Sequence, residues 1–279
     1  MKLNNSLKVA LVTSLGASII GCSAKNNSAA TQVTSTFKMT GSGATATVAI
    51  NKKPSLWAVF INTAYAMIPS TLVDSTEATV NLTSAWIALK EVKFKSEDTV
   101  ESEDNQTEAE FKGPYFVNLL SNTPVALDTK AINQKSIQKI KIKLEASQAS
   151  LPSDTPTELA NNSIYIAGSV GGNNFTFQLN DESEILIAGH HSFLPIENSE
   201  LLVEIQLANI FKQINMSSII NNEVIDHSHK HSGENLCQSI DASARDLYSC
   251  VLKGLEKHAD FGEDHNGDGS LENNEDHTK

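Results

Sequence analysis

The chain has 279 residues, of which 40% are hydrophobic, and its formal net charge is −12 at pH 7. Arg245 is its one arginine. Because nucleic-acid recognition depends on arginine forks and basic patches, we expect no nucleic-acid partner. A chain of this length can bury a sizeable core as one or two domains.

The N-terminus has the pattern of an export signal. Lys2 and Lys8 precede a mostly apolar stretch at 9–20, which is too short to span a bilayer as a helix. The sequence IIGC at 19–22 resembles a bacterial lipobox, which implies cleavage before Cys22 and acylation of its thiol. Ser23, where Asp would mark retention in the inner membrane, implies the outer membrane. An ordinary secretory signal with a chance cysteine is the alternative.

Four regions follow the predicted signal peptide at 1–21, of which the first two are a tether and a β region. Residues 22–36 are predicted to be a tether, because they are small and polar. Residues 37–226 show the patterns of β-strands. Between 136 and 144, aliphatic residues alternate strictly with three lysines, and 201–207 alternates as well. Further candidate strands lie at 79–82, 86–94, 115–119, 163–167, 175–179 and 185–188.

These short strands predict a mostly β fold, an antiparallel β-sandwich of immunoglobulin-like or transthyretin-like type with one C-terminal α-helix. Turn signals between them include Gly113-Pro114 and the GGNN sequence at 171–174. The acidic stretch at 96–110 separates two strand-like runs. We expect it to be a long, solvated hairpin loop, because its carboxylates show no spacing suited to a ligand.

Three segments of this region resemble the DUF4382-type domain, a family of bacterial lipoproteins without an assigned activity. They are AWIALKEVKF at 85–94, GPYFVNLL at 113–120 and IQKIKIKL at 137–144. The resemblance covers roughly residues 44–215. The family's usual Gly-x-Tyr before the third segment is replaced by QKS at 134–136. The resemblance implies a lipoprotein but supplies no catalytic residues.

A histidine-rich segment follows the β region. His227, His229 and His231 stand at alternate positions. On a strand they would share one face, and three imidazoles are an adequate ligand set for Zn²⁺, Cu²⁺ or Ni²⁺. The polar composition of 227–238 instead favours a linker without enforced geometry.

Residues 239–279 are predicted to form a helix and a metal-binding tail. Cys237 and Cys250 are the cysteines left after lipidation, and export permits a disulfide between them. The alternative is two unpaired thiols. A bridge requires the helix to start late, and the pair Ser243 and Asp246 has capping-box spacing. Apolar residues then recur at helical spacing up to Ala259, so we expect the helix to run directly into the tail.

The tail contains DHNGDGSLENNE at 264–275, which has the spacing of an EF-hand-type calcium loop. Ca²⁺ takes six to eight oxygen ligands, and a glycine at the sixth position permits the sharp turn. The predicted ligands are Asp264, Asn266, Asp268, Ser270, Glu272 and Glu275. Because too few residues follow for a second helix, we expect a weak, single calcium site.

The motifs of common enzymes are missing from the sequence, including G-x-S-x-G, H-E-x-x-H, the P-loop and G-x-G-x-x-G. We therefore predict no enzymatic activity. The predicted function is an outer-membrane-anchored lipoprotein, periplasmic or surface-exposed, that acts as a binding or structural module with Ca²⁺ at its C-terminus. Its partners are the membrane, through the lipid, and a protein or carbohydrate ligand. The alternative is a periplasmic transition-metal binding protein that uses the histidines.

Overall fold

A computed structural model describes residues 31–42, 71–96, 107–121, 123–147, 149–237 and 239–271. These residues form one compact unit of two β-sheets with few helices. The predicted fold class, a mostly β sandwich-like architecture, is confirmed. The predicted signal peptide and Cys22 lie outside the described residues.

The strands and helices are numbered in chain order. The strands are β1 (Gln32–Ser42), β2 (Thr71–Val73), β3 (Thr79–Lys95), β4 (Thr107–Asn118), β5 (Val125–Asn133), β6 (Ile137–Leu144), β7 (Ile164–Val170), β8 (Asn173–Leu179), β9 (Ser183–Phe193), β10 (Ser199–Gln206), β11 (Glu223–Ile225) and β12 (Ala259–Glu263). The α-helices are α1 (Leu207–Phe211) and α2 (Leu247–Lys257), and a 3-10 helix spans Thr157–Asn161. None of the described helices is long and apolar enough to cross a membrane.

The smaller sheet has the strand order β12-β10-β1-β5. Strand β1 pairs in parallel with β10 and antiparallel with β5, while β12 pairs antiparallel with β10. The parallel pair departs from the purely antiparallel sandwich that the sequence predicts. It brings the N-terminal and C-terminal parts of the described chain into one sheet.

The larger sheet has eight strands, and its long strand β3 is the hub. The main order is β11-β8-β7-β3-β6-β9, with β2 and β4 also paired to β3. The first part of β3 pairs with β2 and β7, and the later part pairs with β4 and β6. Strand β11 pairs in parallel with β8 at the end of this order.

An aromatic cluster joins the two sheets in the core. Phe37 of the smaller sheet packs against Phe94 and Phe111 of the larger one, with ring centroids 5.6 and 5.1 Å apart. Phe261 of β12 contacts Phe94 and Phe193 at 6.3 and 6.1 Å. Aromatic pairs at these separations add to the stabilisation from burying their large apolar surfaces. Strand β12 is therefore part of the core and not an appendage.

Every strand that the sequence predicts is present, with altered bounds. The candidates at 79–82 and 86–94 are one continuous strand, β3. Strand β4 extends the candidate at 115–119 back to Thr107, into the predicted acidic loop, because Ala109 and Phe111 are buried at alternate positions. Gly113-Pro114 also lies within β4, so its interpretation as a turn is wrong; the strand pairing is irregular there.

Two predicted boundaries differ from the structure. Strand β1 begins at Gln32, inside the region predicted as a tether, because Val33, Ser35 and Phe37 alternate inward there. The C-terminal tail contributes β12 to the smaller sheet. The segment after 226 thus belongs to the same compact unit as the β-strands.

Helix α2 is shorter than its periodicity predicts. Asp246 is its N-cap, since the Asp246 side chain accepts a hydrogen bond from the Ser249 backbone N–H at 2.7 Å, and the helix ends at Lys257. The expectation that it runs directly into the metal-binding loop is wrong. Ala259 continues the helical spacing, but it is the first residue of β12 and pairs with Ile205 of β10. Tertiary pairing overrides the local helical pattern.

A buried carboxylate, Asp74, joins two turns of the structure. Its Oδ1 accepts hydrogen bonds from the backbone N–H groups of Thr76 and Ala78, at 2.7 and 2.9 Å. Its Oδ2 accepts from the Met216 N–H at 3.0 Å, across 142 residues of sequence. The side chain of Asp74 therefore fixes the turn after α1 to the turn between β2 and β3.

Asp74→Ala should lower the free energy of unfolding by about 3 kcal/mol, because it leaves several backbone donors without an acceptor in a buried site. Asp241→Ala is the control, since Asp241 accepts similar bonds in an exposed turn. Urea denaturation of both variants measures the difference. Equal, small effects would contradict a structural role for Asp74.

Candidate functional site

The predicted calcium loop is entered from strand β12. The backbone N–H of Asp264 donates to the carbonyl oxygen of Glu200 at 2.9 Å, which continues the pairing of β12 with β10. Asp264 is only 3% exposed, so the first predicted ligand lies at the edge of the packed sheet. The strand thus supplies the fixed entry that the sequence assigns to a helix.

Asp264 shapes the first half of the loop. Its Oδ1 accepts a hydrogen bond from the Gly267 N–H at 2.6 Å, and its Oδ2 accepts one from the Gly269 N–H at 2.8 Å. Both glycines have positive φ, of 74° and 83°. Glycine adopts this conformation without the steric cost that a Cβ brings.

The next two predicted ligands, Asn266 and Asp268, form successive turns of the same kind. Asn266 Oδ1 accepts from the Asp268 N–H at 2.8 Å. Asp268 Oδ1 accepts from both the N–H and the hydroxyl of Ser270, each at 2.9 Å. The side-chain oxygens at alternate positions therefore hold the backbone of 264–270 in a curved path.

The loop packs on the smaller sheet at two points. A Cβ placed on Gly269 would lie 2.1 Å from Pro124 Cγ, so the backbone of the loop approaches this proline closely. Gly267 lies near Glu200, whose carboxylate forms an ion pair with Lys38. Lys38 thereby balances one of the carboxylates around the loop.

The described part of the loop provides oxygen atoms that could be metal ligands, but too few negative charges for a complete cation site. Its predicted ligands there are Asp264, Asn266, Asp268 and Ser270. Glu272 and Glu275 lie outside the described residues. Within the described ranges, no group of three or more His, Cys, Asp or Glu side chains is arranged to hold a metal ion. The arrangement is suited to a hard cation only if the acidic residues that follow complete it.

The three histidines of the predicted alternative metal site contact three different acids. His227 Nδ1 lies 3.2 Å from Asp181 Oδ2, and His229 Nδ1 lies 3.5 Å from Asp226 Oδ1. His231 contacts Glu223. Asp226 also accepts backbone bonds from this segment, so 226–229 is a turn and not a strand with a common face. Although burial opposes it, these N–H bonds from His229 and Ser228 hold the pKa of Asp226 below its ordinary value.

His231 has both ring nitrogens engaged. Its Nδ1 is hydrogen-bonded to Glu223 Oε1, and its Nε2 lies 2.9 Å from the hydroxyl oxygen of Ser218. The His231 side chain is 13% exposed, whereas that of His229 is 79% exposed. Ser218 and Glu223 are partners that the sequence does not identify. No local motif links them to a histidine 13 and 8 residues further along the chain.

Helix α2 packs against the histidine segment, which is not a free linker. The backbone N–H of Leu247 donates to the carbonyl of His231 at 3.1 Å, and Ser232 forms a β-bridge with Asp246. The ring of Tyr248 makes an edge-on contact with that of His227, with ring centroids 6.1 Å apart. Burial, with the nearby carboxylates as a further cause, raises the pKa of Tyr248 to about 12.

The predicted disulfide is present. Cys237 and Cys250 are bonded, with their Cα atoms 5.8 Å apart. The bond joins the end of the histidine segment to the first turns of α2. In the chain-entropy model, closing a loop of this length stabilises the fold by about 3 kcal/mol.

Comparison with known proteins gives little guidance. No protein-family model matches this sequence, and no curated protein matches it. Among solved structures, MbnP from Methylosinus trichosporium is similar over 80% of this chain and 87% of its own, at 11% sequence identity and a TM-score of 0.33. At this low level of similarity, nothing about the function of this protein follows from the match.

Gly269→Ala should destabilise the protein more than Gly267→Ala. Both substitutions place a Cβ at positive φ, which costs about 1–2 kcal/mol. Only the Cβ at 269 would collide with Pro124, while the nearest atom to a Cβ at 267 lies 3.8 Å away. Urea unfolding of the two variants measures the difference. Equal losses would show that the loop does not pack against Pro124.

Proposed function

We propose that this protein is an outer-membrane-anchored lipoprotein whose β domain acts as a binding or structural module and whose C-terminal loop binds Ca²⁺. The observation that carries the calcium proposal is the curved path of residues 264–270. Asp264, Asn266 and Asp268 hold this path with their own side-chain oxygens.

Preorganisation favours cation binding at this loop. Because backbone N–H groups already fix the carboxylate of Asp264, it does not have to be ordered when a cation arrives. Asp268 is exposed; its Oδ1 accepts two bonds from Ser270, and its Oδ2 accepts one from Asn266 Nδ2 at 3.0 Å. Glu272 and Glu275 complete the ligand set in this proposal. Oxygen ligands in such number suit Ca²⁺ better than a transition metal.

The proposed role of calcium is stabilisation and not sensing. A sensor EF-hand opens a pair of helices, but this loop is entered from a strand. The cation would neutralise carboxylates that repel one another and fasten the end of β12 to β10. An affinity of about 10⁻⁴–10⁻³ M, as in extracellular modules, is expected.

The lipid anchor in this proposal is Cys22, and its support is the sequence alone. Two or three acyl chains anchor firmly, because each buried CH₂ contributes about 0.8 kcal/mol. The disulfide fits an exported protein, since such bonds persist in oxidising compartments. Resemblance to the DUF4382-type domain stays a prediction, and so does a protein or carbohydrate ligand of the β domain.

No observation favours the alternative transition-metal function. Each of His227, His229 and His231 contacts a different carboxylate, so a shared metal would have to displace these contacts. The histidine site therefore stays a prediction from the sequence and is not proposed.

Calorimetric titration of the purified protein with Ca²⁺ should give a saturable heat that Asp268→Ala or Glu275→Gln abolishes. Asp241→Ala is the matched control, because Asp241 accepts the same two bonds from Ser243 that Asp268 accepts from Ser270. The control should bind normally. Calcium at ten times Kd should also add about 1.4 kcal/mol to the free energy of unfolding. Absence of heat from the unsubstituted protein would refute the calcium proposal.

Metabolic labelling with radioactive palmitate in a Gram-negative host should mark the protein, and Cys22→Ala should abolish the label. The unsubstituted protein should fractionate with the outer membrane, because several acyl chains hold it there. Cys22→Ala should leave the protein unlabelled and its signal uncleaved at this site. Equal labelling of both forms would exclude Cys22 as the acylated residue.

A further inference from the structure

A serine, a histidine and a glutamate from the segment that connects α1 to α2 are joined by hydrogen bonds. Ser218 Oγ lies 2.9 Å from His231 Nε2, and His231 Nδ1 is bonded to Glu223 Oε1. A nucleophile, a base within hydrogen-bond reach and a group that orients the base are the three elements of nucleophilic hydrolases. Such triads are recognised by geometry and not by sequence order.

The protonation of the imidazole follows from its partners. An ionised carboxylate can only accept a hydrogen bond, so His231 Nδ1 carries the proton and donates to Glu223. In the neutral imidazole, Nε2 is then an acceptor, and the hydroxyl of Ser218 donates to it. This is the tautomer in which Nε2 can take a proton from serine.

Buried neighbours fix the serine in place. Ser218 is exposed, but Met216 and Ile219 on either side are each 2% exposed and anchor the turn in the core. Asp74 accepts from the Met216 N–H, and the Asn173 side chain donates to the Ile219 carbonyl at 2.9 Å. The hydroxyl is therefore presented to solvent from a rigid turn.

His231 and Glu223 are also held in place by hydrogen bonds. Glu223 Oε2 accepts from the backbone N–H of Ile220 at 2.8 Å, which leaves Oε1 for His231. His231 has a φ of 49°, a conformation uncommon outside glycine, and the Leu247 N–H holds its carbonyl. Uncommon backbone conformations held by their surroundings cluster at functional sites.

A groove of about 470 Å³ lies beside His231 and Glu223. Its apolar lining residues, Ile220 and Val224, are 66% and 42% exposed, and Asn222 and His229 line it as well. Ser218 is not part of this lining, but its hydroxyl lies within hydrogen-bond distance of His231 Nε2.

We propose that Ser218, His231 and Glu223 form a nucleophilic site that cleaves carboxylic esters with a short apolar acyl group. Ser218 is the nucleophile and His231 the general base. Glu223 is a positioning residue that acts through the imidazole. The apolar wall of the groove takes the acyl chain. This site shares no residue with the proposed calcium loop and does not depend on it.

The reaction runs in two balanced halves. Ser218 Oγ attacks the ester carbonyl carbon while its proton passes to His231 Nε2. The C–O bond to the alcohol then breaks, and the alcohol leaves with that proton. In the second half, water gives a proton to Nε2 and attacks the acyl carbon. The bond to Ser218 Oγ breaks, Oγ regains the proton, and the carboxylic acid is released.

Two measurements on the purified full chain test this proposal: hydrolysis of p-nitrophenyl butyrate, and labelling by an alkyl fluorophosphonate with mapping of the adduct by mass spectrometry. The expected adduct is on Ser218. Ser218→Ala should remove the label and lower kcat/KM by at least about 100-fold. Ser217→Ala is the matched control, since Ser217 is also exposed in the same turn but bonds to Asn215. It should change neither measurement.

Glu223→Gln separates positioning from a merely structural role. The amide oxygen can still accept from the Ile220 N–H, but the charge that orients and stabilises the imidazolium is lost. Glu223→Gln should lower kcat, leave KM unchanged and slow the labelling of Ser218. Circular dichroism and the thermal midpoint check that each variant is folded. The proposal is overturned if the unsubstituted chain takes no label at Ser218, or if Ser218→Ala hydrolyses the ester as fast.

Discussion

The Cys237–Cys250 disulfide ties helix α2 to the chain segment that precedes it. It fixes the start of α2 against the histidine segment, and the Leu247 N–H holds the His231 carbonyl there. From the other end of the same helix, β12 pairs with β10 and leads to Asp264. One short helix, covalently held at its beginning, therefore positions both the calcium-type loop and the imidazole beside Ser218. Without the bond, the order of both would depend on the pairing of β12 and on the packing of α2 against α1.

Aspartates fix the irregular segments of this acidic protein. Asp74 joins two turns across the core, Asp226 closes the turn at the histidines, and Asp264 shapes the C-terminal loop. In each case a carboxylate accepts backbone N–H groups that a loop would otherwise leave to water. A chain with a net charge of −12 can retain so many acids because several of them have fixed structural partners. Some of the acidic residues therefore order loops through hydrogen bonds to the backbone, in addition to giving the surface its negative charge.

Local patterns in the sequence predict the parts of this structure that depend on near neighbours. The alternation at 136–144 predicts β6 because one face of that strand is buried. The spacing of Asp264, Asn266 and Asp268 predicts successive turns because each side chain bonds within its own loop. Local patterns do not predict strand β12, since Ala259 fits the helical period. This segment is a strand because it pairs with β10, which lies far away in the sequence. The contacts of His231 depend likewise on where α2 lies.

The two candidate sites share one property, which is that hydrogen bonds hold their groups in place. At the C-terminal loop, the side chains of Asp264 and Asp268 accept bonds from backbone N–H groups of the same loop. At Ser218 every group is held by a neighbour, down to the second oxygen of Glu223. Preorganised groups of that kind are what a transition state requires, because they need no rearrangement when charge develops on the substrate.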